Sequence, residues 1–572
     1  MSTATGNAVR DEPTWIEGTA GPLFTWLSRP VAGDVHGAVV LAPPVGFEAR
    51  CARQALRSLA HELARHGFVA LRLDYAGTGD SCGDFGDFAP DPQWLDDVAS
   101  AVGYLRSSSI GSVSVVGMRL GALIASVAAS RLGLDLASLV LWDPCESGRS
   151  YLRELRALES LRRENFLDSD GGAVETAEFL FPGDIVTSLR GIDLAETAPS
   201  DMACRTLVVT RSKRPLSPRL RQHLELGKVD FETTDEQEAL LDTLPFYAAT
   251  PMATIERIVE WIAQSGTTKT ATPEFIVRPT TLIATRGTNN VVERATRLGP
   301  RQLFALISEP EHGAHGPWIV LFGGIHEDHN GPSRLWVELS RRWAASGLRC
   351  VRVDVTGMGE SPRPASEAPV QNFDPIWVDD ALTLSVSLDP ADPTNVVYIG
   401  MCSGGFLAIE SALATRARGM CVVNPPIGSS YLHALTRLEH STSAPSRWTR
   451  QAMRRLFNAH HWVAALLWQV VSHLLPRRWA VDVMRRIVAN GTDVYVLGSL
   501  DDLSPYPKLP LLRSIEGRRL GDVKPYPFVL VPELDHDMVF ALGRARTTAL
   551  LEEHVRSHFA ASDSTSSPRE DS

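Results

Sequence analysis

No apolar run in this 572-residue chain is long enough to cross a bilayer. The longest, "WVAALLWQVV" at 462–471, has about half of the ~20 residues a spanning helix needs. Positive charge is in deficit too. The 56 Lys and Arg residues face 67 Asp and Glu, leaving a net charge of −11 and no dense basic run, which argues against a nucleic-acid surface. Cysteine is sparse and scattered: seven residues, with no C-x-x-C pair and no Cys/His spacing typical of a metal site. Such usage reads as a reduced, cytosolic chain and not as a disulfide framework. The opening "MSTATGNAVRDEPTW" has no apolar core of a secretory leader, so a cytoplasmic location is expected. What remains, 44% hydrophobic and 22% charged, is ordinary globular composition, long enough for two domains or more.

The chain repeats itself. "GPLFTWLSRP" (21–30) answers "RQLFALISEP" (301–310), and "ALRLDYAGTGDS" (70–81) answers "CVRVDVTGMGES" (350–361), both at a spacing of 280. "PQWLDD" (92–97) matches "PIWVDD" (375–380), and "SYLREL" (150–155) matches "SYLHAL" (430–435). Matching blocks in one order mean a tandem duplication. The expected layout is a disordered lead at 1–12, a first copy at 13–264, a linker and the start of the second repeat at 265–299, a second copy at 300–560, and a disordered tail at 561–572. In each copy, short apolar runs such as "GAVVLA" and "WIVLF" alternate with helical patterns. That alternation predicts an α/β fold with two doubly wound, mostly parallel sheets, each with a helical cap insertion. Ligands bind such sheets at the carboxyl ends of the strands.

At such a strand end stands Gly400-Met401-Cys402-Ser403-Gly404, which has the G-x-nucleophile-x-G form of a strained strand-to-helix turn. The N-terminus of the following helix would stabilise negative charge on the Cys402 sulfur. The plain alternative is a small buried cysteine without chemistry. An acyl-transfer site also needs a base, an orienting acid and oxyanion donors, in the chain order nucleophile, acid, base. "DVYVLGSLDDLSPY" (493–506) offers Asp501, or Asp502 next to it, and spacing does not separate them. "PFVLVPELDHDMVF" (527–540) offers His536, flanked by Asp535 and Asp537. The N–H of Ser403 and that of Ile325, in "FGGIHEDH", are the candidate oxyanion donors. His326 and His329 stand three apart in the same loop with no further ligand cluster, so neither a metal nor a cofactor is expected.

The first copy lacks every one of these parts. Arg119 stands in the elbow "VVGMRLGALIA", Arg214 lies opposite Asp501, and "FETTDEQEALLD" (231–242) has no histidine. Pro43-Pro44-Val45 replaces the glycine loop, and proline has no N–H to offer. A degenerate copy follows. Arg119 and Arg214 could bind a carboxylate or phosphate in its site, or Arg119 could pair with a local acid for stability.

On these motifs both copies resemble the α/β-hydrolase superfamily. The first elbow, with its G-x-R-L-G-A, looks like that of exosortase-associated hydrolases. The second, "GMCSGG", is similar to the cysteine elbows of dienelactone hydrolases and polyhydroxyalkanoate synthases. The resemblance implies a Cys–His–Asp set acting on esters, lactones or thioesters. The Trp- and Leu-rich insertion at 436–490 would be a lid with a basic rim, or packing against the domain. The expected activity is acyl transfer or hydrolysis on a small or carrier-bound acyl group, such as a coenzyme A or carrier-protein thioester. An ester or lactone hydrolase is the runner-up, and a non-catalytic scaffold is the rival from another class.

Overall fold

The computed structural model describes residues 8–162, 172–176, 179–197, 204–264, 273–285, 289–324, 327–363, 374–425, 483–499, 527–538 and 540–560. It divides into two compact units, Met1–Ala295 with Val539–Ala541, and Thr296–Met538 with Leu542–Ser572. The division falls close to the position 300 that the repeat implies.

In the first unit Val9–Glu17 (β1) pairs antiparallel with Pro22–Pro30 (β2). Residues from Val9 therefore belong to the sheet, which corrects the disordered lead expected at 1–12 from that residue on: β1 pairs along its whole length with β2 and buries Thr14, Trp15 and Ile16. Gly37–Ala42 (β3), Phe68–Leu73 (β4), Val113–Met118 (β5), Ser138–Trp142 (β6), Arg205–Arg211 (β7) and Val229–Thr234 (β8) run parallel to one another. The strand order is β1-β2-β4-β3-β5-β6-β7-β8. Alternate residues of β3 serve opposite faces: Ala38, Val40 and Ala42 pack with the helices Leu95–Ser107 and Leu120–Arg131, while Val39 and Leu41 pack with Phe47–Arg65 and Met252–Ala263. A strand buried on both sides has no polar face, so its run is continuously apolar. A helical insertion follows β6, opening with Gly148–Arg162.

The second unit continues with Leu303–Pro310 (β9), Trp318–Phe322 (β10), Arg349–Val353 (β11), Val396–Met401 (β12), Gly419–Val423 (β13), Asp493–Gly498 (β14) and Phe528–Leu530 (β15). These lie in the order β9-β11-β10-β12-β13-β14-β15, matching β2 to β8 of the first unit strand for strand. Core residues again alternate between two clusters, one on each face of the sheet. Most of the expected cap lies outside the described residues. Its end does not: residues 483–489 are helical and put Val483, Met484 and Ile487 into the core, so that stretch is domain packing and not lid.

The repeated blocks are braces. Ser81 and Ser361 each accept from the N–H of β2 or β9, at Phe24 and Phe304, both at 2.8 Å. Asp97 and Asp380 each accept from a backbone N–H, of Ala76 and Thr356, both at 2.8 Å. Trp94 and Trp377 donate their indole N–H to the carbonyls of the same two residues.

Candidate active site

The elbow is built by close approach. A Cβ on Gly400 would sit 2.2 Å from the carbonyl oxygen of Gly404, and one on Gly404 would sit 2.7 Å from that of Gly323. Glycine at both places lets β12 turn at once into the helix Ser403–Thr415 beside the end of β10. Between them Cys402 takes φ 50° and ψ −118°, a conformation that costs a non-glycine residue about 1–3 kcal/mol. Its N–H donates to Val423 O at 3.0 Å and its carbonyl accepts from Phe406 N at 3.0 Å, so the turn is fixed at both ends.

The structure brings His536 to this turn from β15, across the sheet. Its Nε2 lies 3.3 Å from Cys402 Sγ, which is contact distance for a thiol–imidazole hydrogen bond. The imidazole is 44% exposed, and Asp537 Oδ1 stands 3.8 Å from the same nitrogen. Asp501, Asp502 and Ile325 lie outside the described residues. Ser403 opens the helix, so its N–H has no partner four residues back. Ser403 also lines a cleft with Gly323, Gly324, Glu327, Trp377 and Leu407. Gly324 N–H is taken by Glu327 Oε2 at 3.2 Å. His329 takes no part in this site: its backbone N–H and Nδ1 both meet the buried Asp354 carboxylate, at 2.7 and 2.9 Å.

One residue that the sequence reading missed holds the arrangement together. Asn424 follows β13 at φ 45° and is 1% exposed. Its amide nitrogen donates to the carbonyls of both Asp535 and His536, each at 2.9 Å, and its amide oxygen accepts from Ser499 N at 2.8 Å. Only one orientation of the amide satisfies all three. Asn424 thus ties the histidine loop to the start of the segment that holds Asp501 and Asp502.

In the first unit the same elbow carries an arginine in place of the thiol. Arg119 has φ 54° and ψ −119°, within a few degrees of Cys402. Its guanidinium, 5% exposed, meets Glu48 at 2.7 Å, Glu154 at 2.8 Å and Asp143 at 3.7 Å. Arg214 also ends on Glu154, at 2.8 Å. The two arginines do converge, on carboxylates of their own chain, which is the local pairing that was the alternative for Arg119. Burial pushes the Glu48 carboxyl up despite Arg119 beside it. Burial also opposes ionisation of Glu154, yet Arg119 and Arg214 together hold its carboxyl below the usual range.

Family models bear on both units. Residues 312–549 match the model described as "Alpha/beta hydrolase family", and residues 33–166 match the one described as "Serine aminopeptidase, S33". The chain holds two α/β-hydrolase domains in tandem. At the elbow of the stretch that matches the serine aminopeptidase model, the first of these domains carries Arg119. Among solved structures it is similar to Est1E of Butyrivibrio proteoclasticus with ferulic acid bound, at 17% identity over 44% of this chain and 98% of that one, with a TM-score of 0.36. It is also similar to carboxyl esterase 2 of the mycorrhizal fungus Tuber melanosporum, at 14% identity over 46% of this chain and 89% of that one, with a TM-score of 0.31. No curated protein matches it.

Proposed function

We propose that the second unit catalyses acyl transfer or hydrolysis on an acyl-thioester or ester through a covalent acyl-Cys402 intermediate. The observation that carries this reading is the 3.3 Å approach of His536 Nε2 to Cys402 Sγ at the strained elbow. In the first step His536 takes the thiol proton and the sulfur attacks the acyl carbonyl. The N–H groups of Ser403 and Ile325 receive the resulting oxyanion. The intermediate collapses as the leaving thiol or alcohol departs with the proton from His536, and the acyl group stays on sulfur. Water or an acceptor alcohol or amine then gives its proton to His536, attacks the thioester, and releases Cys402. Asp501 or Asp502 orients the imidazole through its other nitrogen.

Cysteine favours a thioester donor, because exchange between two thioesters is nearly isoenergetic. That chemistry fits a coenzyme A or carrier-protein acyl group handled in the cytoplasm. An ester or lactone hydrolase differs only in the leaving group. The first unit performs no acyl chemistry, since Arg119 stays protonated and is enclosed by carboxylates.

The test is intact-protein mass spectrometry after incubation with a panel of acyl-thioesters, on the native chain and on Cys402→Ala. An adduct on the native chain alone supports the reading, and its mass reports the acyl group. Turnover of simple esters or lactones without a thioester adduct moves the assignment to the runner-up. No adduct and no turnover of either class leaves a non-catalytic scaffold.

A further inference from the structure

Away from the elbow, the last helix of the second unit, Ala541–Phe559, carries His554 and His558 one turn apart. At that spacing two side chains share a face. The face meets Asp493, the first residue of β14. His554 Nε2 lies 2.9 Å from Asp493 Oδ1, and His558 Nε2 lies 3.8 Å from Asp493 Oδ2. One nitrogen from each histidine and a carboxylate oxygen all lie within 4.8 Å of one another. Ligand atoms that sit ~2.0–2.2 Å from a tetrahedral zinc ion are separated by roughly 3.3 Å, so the three need only a small inward movement.

The surroundings are those of a metal ligand set. His558 Nδ1 meets the carbonyl of His554 at 3.0 Å, which places the ring proton on Nδ1 and leaves the lone pair on Nε2, the atom that faces Asp493. The His554 ring is stacked on Tyr495 at 4.1 Å with 3° between planes, which fixes its direction. The two imidazoles stack on each other at 4.1 Å, an arrangement that two cations would resist and two neutral ligands would not. His554 is 7% exposed, Asp493 33% and His558 46%, so the cluster is closed behind and open in front. An ion could enter there, and water could fill the remaining position.

We propose that Asp493, His554 and His558 bind a divalent zinc-class ion, with two imidazole nitrogens, one carboxylate oxygen and water as ligands. Nitrogen and carboxylate ligands in this number favour zinc or cobalt over magnesium or calcium. The site clips the final helix to the amino end of β14, whereas Cys402 follows the carboxyl end of the parallel β12, about one six-residue strand or ~20 Å along the sheet. The site is therefore separate from the elbow.

The experiment is cobalt titration of the full chain in a Cys402→Ala background, so that the elbow thiol does not compete, followed by visible absorption and thermal unfolding. One equivalent of Co²⁺ should give the intense d–d bands of a tetrahedral site. Zn²⁺ at about a hundredfold over Kd should raise Tm by roughly 5 °C. His558→Ala, at an exposed position, should weaken binding at least tenfold and abolish the Tm shift, and Asp493→Asn should do the same. With Cys402 present, alkylation of its thiol should proceed at the same rate with and without a chelator. Absence of saturable cobalt binding overturns the proposal, as does binding that His558→Ala and Asp493→Asn leave unchanged.

Discussion

Asn424→Asp is the substitution that best isolates how the candidate site is held. The carboxylate keeps the shape and can still accept from Ser499 N–H, but it cannot donate to the carbonyls of Asp535 and His536. Two hydrogen bonds disappear, at about 1 kcal/mol each, and a buried anionic oxygen is left facing two carbonyl oxygens, at a further 1–3 kcal/mol or so. We expect the second unit to lose about 3–5 kcal/mol, or else the histidine loop to swing away from the elbow. The loss must depend on pH. A protonated carboxyl can restore one donor, so the folded pKa of Asp at position 424 is raised above its unfolded value near 4. The penalty is then small below about pH 4, grows as pH rises, and is complete above the folded pKa. The assay pairs urea unfolding at pH 5 and pH 8 with the second-order rate of iodoacetamide alkylation at Cys402. Alkylation at pH 7 should fall roughly tenfold as His536 leaves the sulfur. Wild-type stability at both pH values together with a wild-type alkylation rate would refute the bracing role.

Three further outcomes follow from the same geometry. His536→Ala should slow Cys402 alkylation about tenfold or more, while Cys350 and Cys421, buried and with thiols pushed up by that burial, stay unlabelled in the native chain by peptide mapping. Arg119→Met should destabilise the first unit by about 3–5 kcal/mol, because Glu48, Glu154 and Asp143 lose their shared cation. Without Arg119 the Glu48 and Glu154 carboxyls titrate higher, so the loss should be larger at pH 8 than at pH 5; equal losses would refute the account. Asp97, buried and with its carboxyl pushed up to about 6, binds its proton more tightly folded than unfolded. Stability of the first unit should therefore decline as pH rises from about 4 to about 6, and Asp97→Asn should flatten that slope in denaturant titrations.

The duplication and the sheet topology were legible because they rest on local signals: apolar runs four to six residues long, turn glycines, and blocks 280 positions apart. Cys402 and His536 were legible because an elbow and a post-strand histidine have fixed places in chain order. Asn424 was not, since an asparagine after a strand has no sequence signature, and its partners lie 75, 111 and 112 positions away. The Asp493–His554 pair, 61 positions apart, is hidden for the same reason. The neutralisation of Arg119 was also out of reach. Glu48 and Glu154 lie on helices that come from opposite sides of the elbow in sequence, and only the fold makes them neighbours.

The two elbows together separate what the fold requires from what chemistry requires. Arg119 and Cys402 share a strained backbone to within a few degrees, and both donate their N–H to the end of the neighbouring strand, to Trp142 O and Val423 O at 3.0 Å. Strain of this kind usually points to function, yet here it persists in a unit whose elbow carries an arginine enclosed by acids. The turn is imposed by strand-to-helix packing around paired glycines, and it remains where the thiol is replaced by an arginine. Elbow geometry alone therefore says nothing about activity. What differs between the units is what meets the side chain: three carboxylates at Arg119, and one imidazole held by Asn424 at Cys402. At the position of Asn424 the first unit has Asp143, whose carboxylate binds Arg211 at 2.8 Å and has no N–H to give a loop carbonyl. Loss of the nucleophile and loss of the loop brace thus go together. An attempt to revive the first unit with Arg119→Cys alone should fail, because a thiol there would face Glu48, Asp143 and Glu154, whose charge opposes its ionisation. Fast alkylation of that cysteine near neutral pH would show that the imidazole is dispensable and would remove the main support for the reading of Cys402.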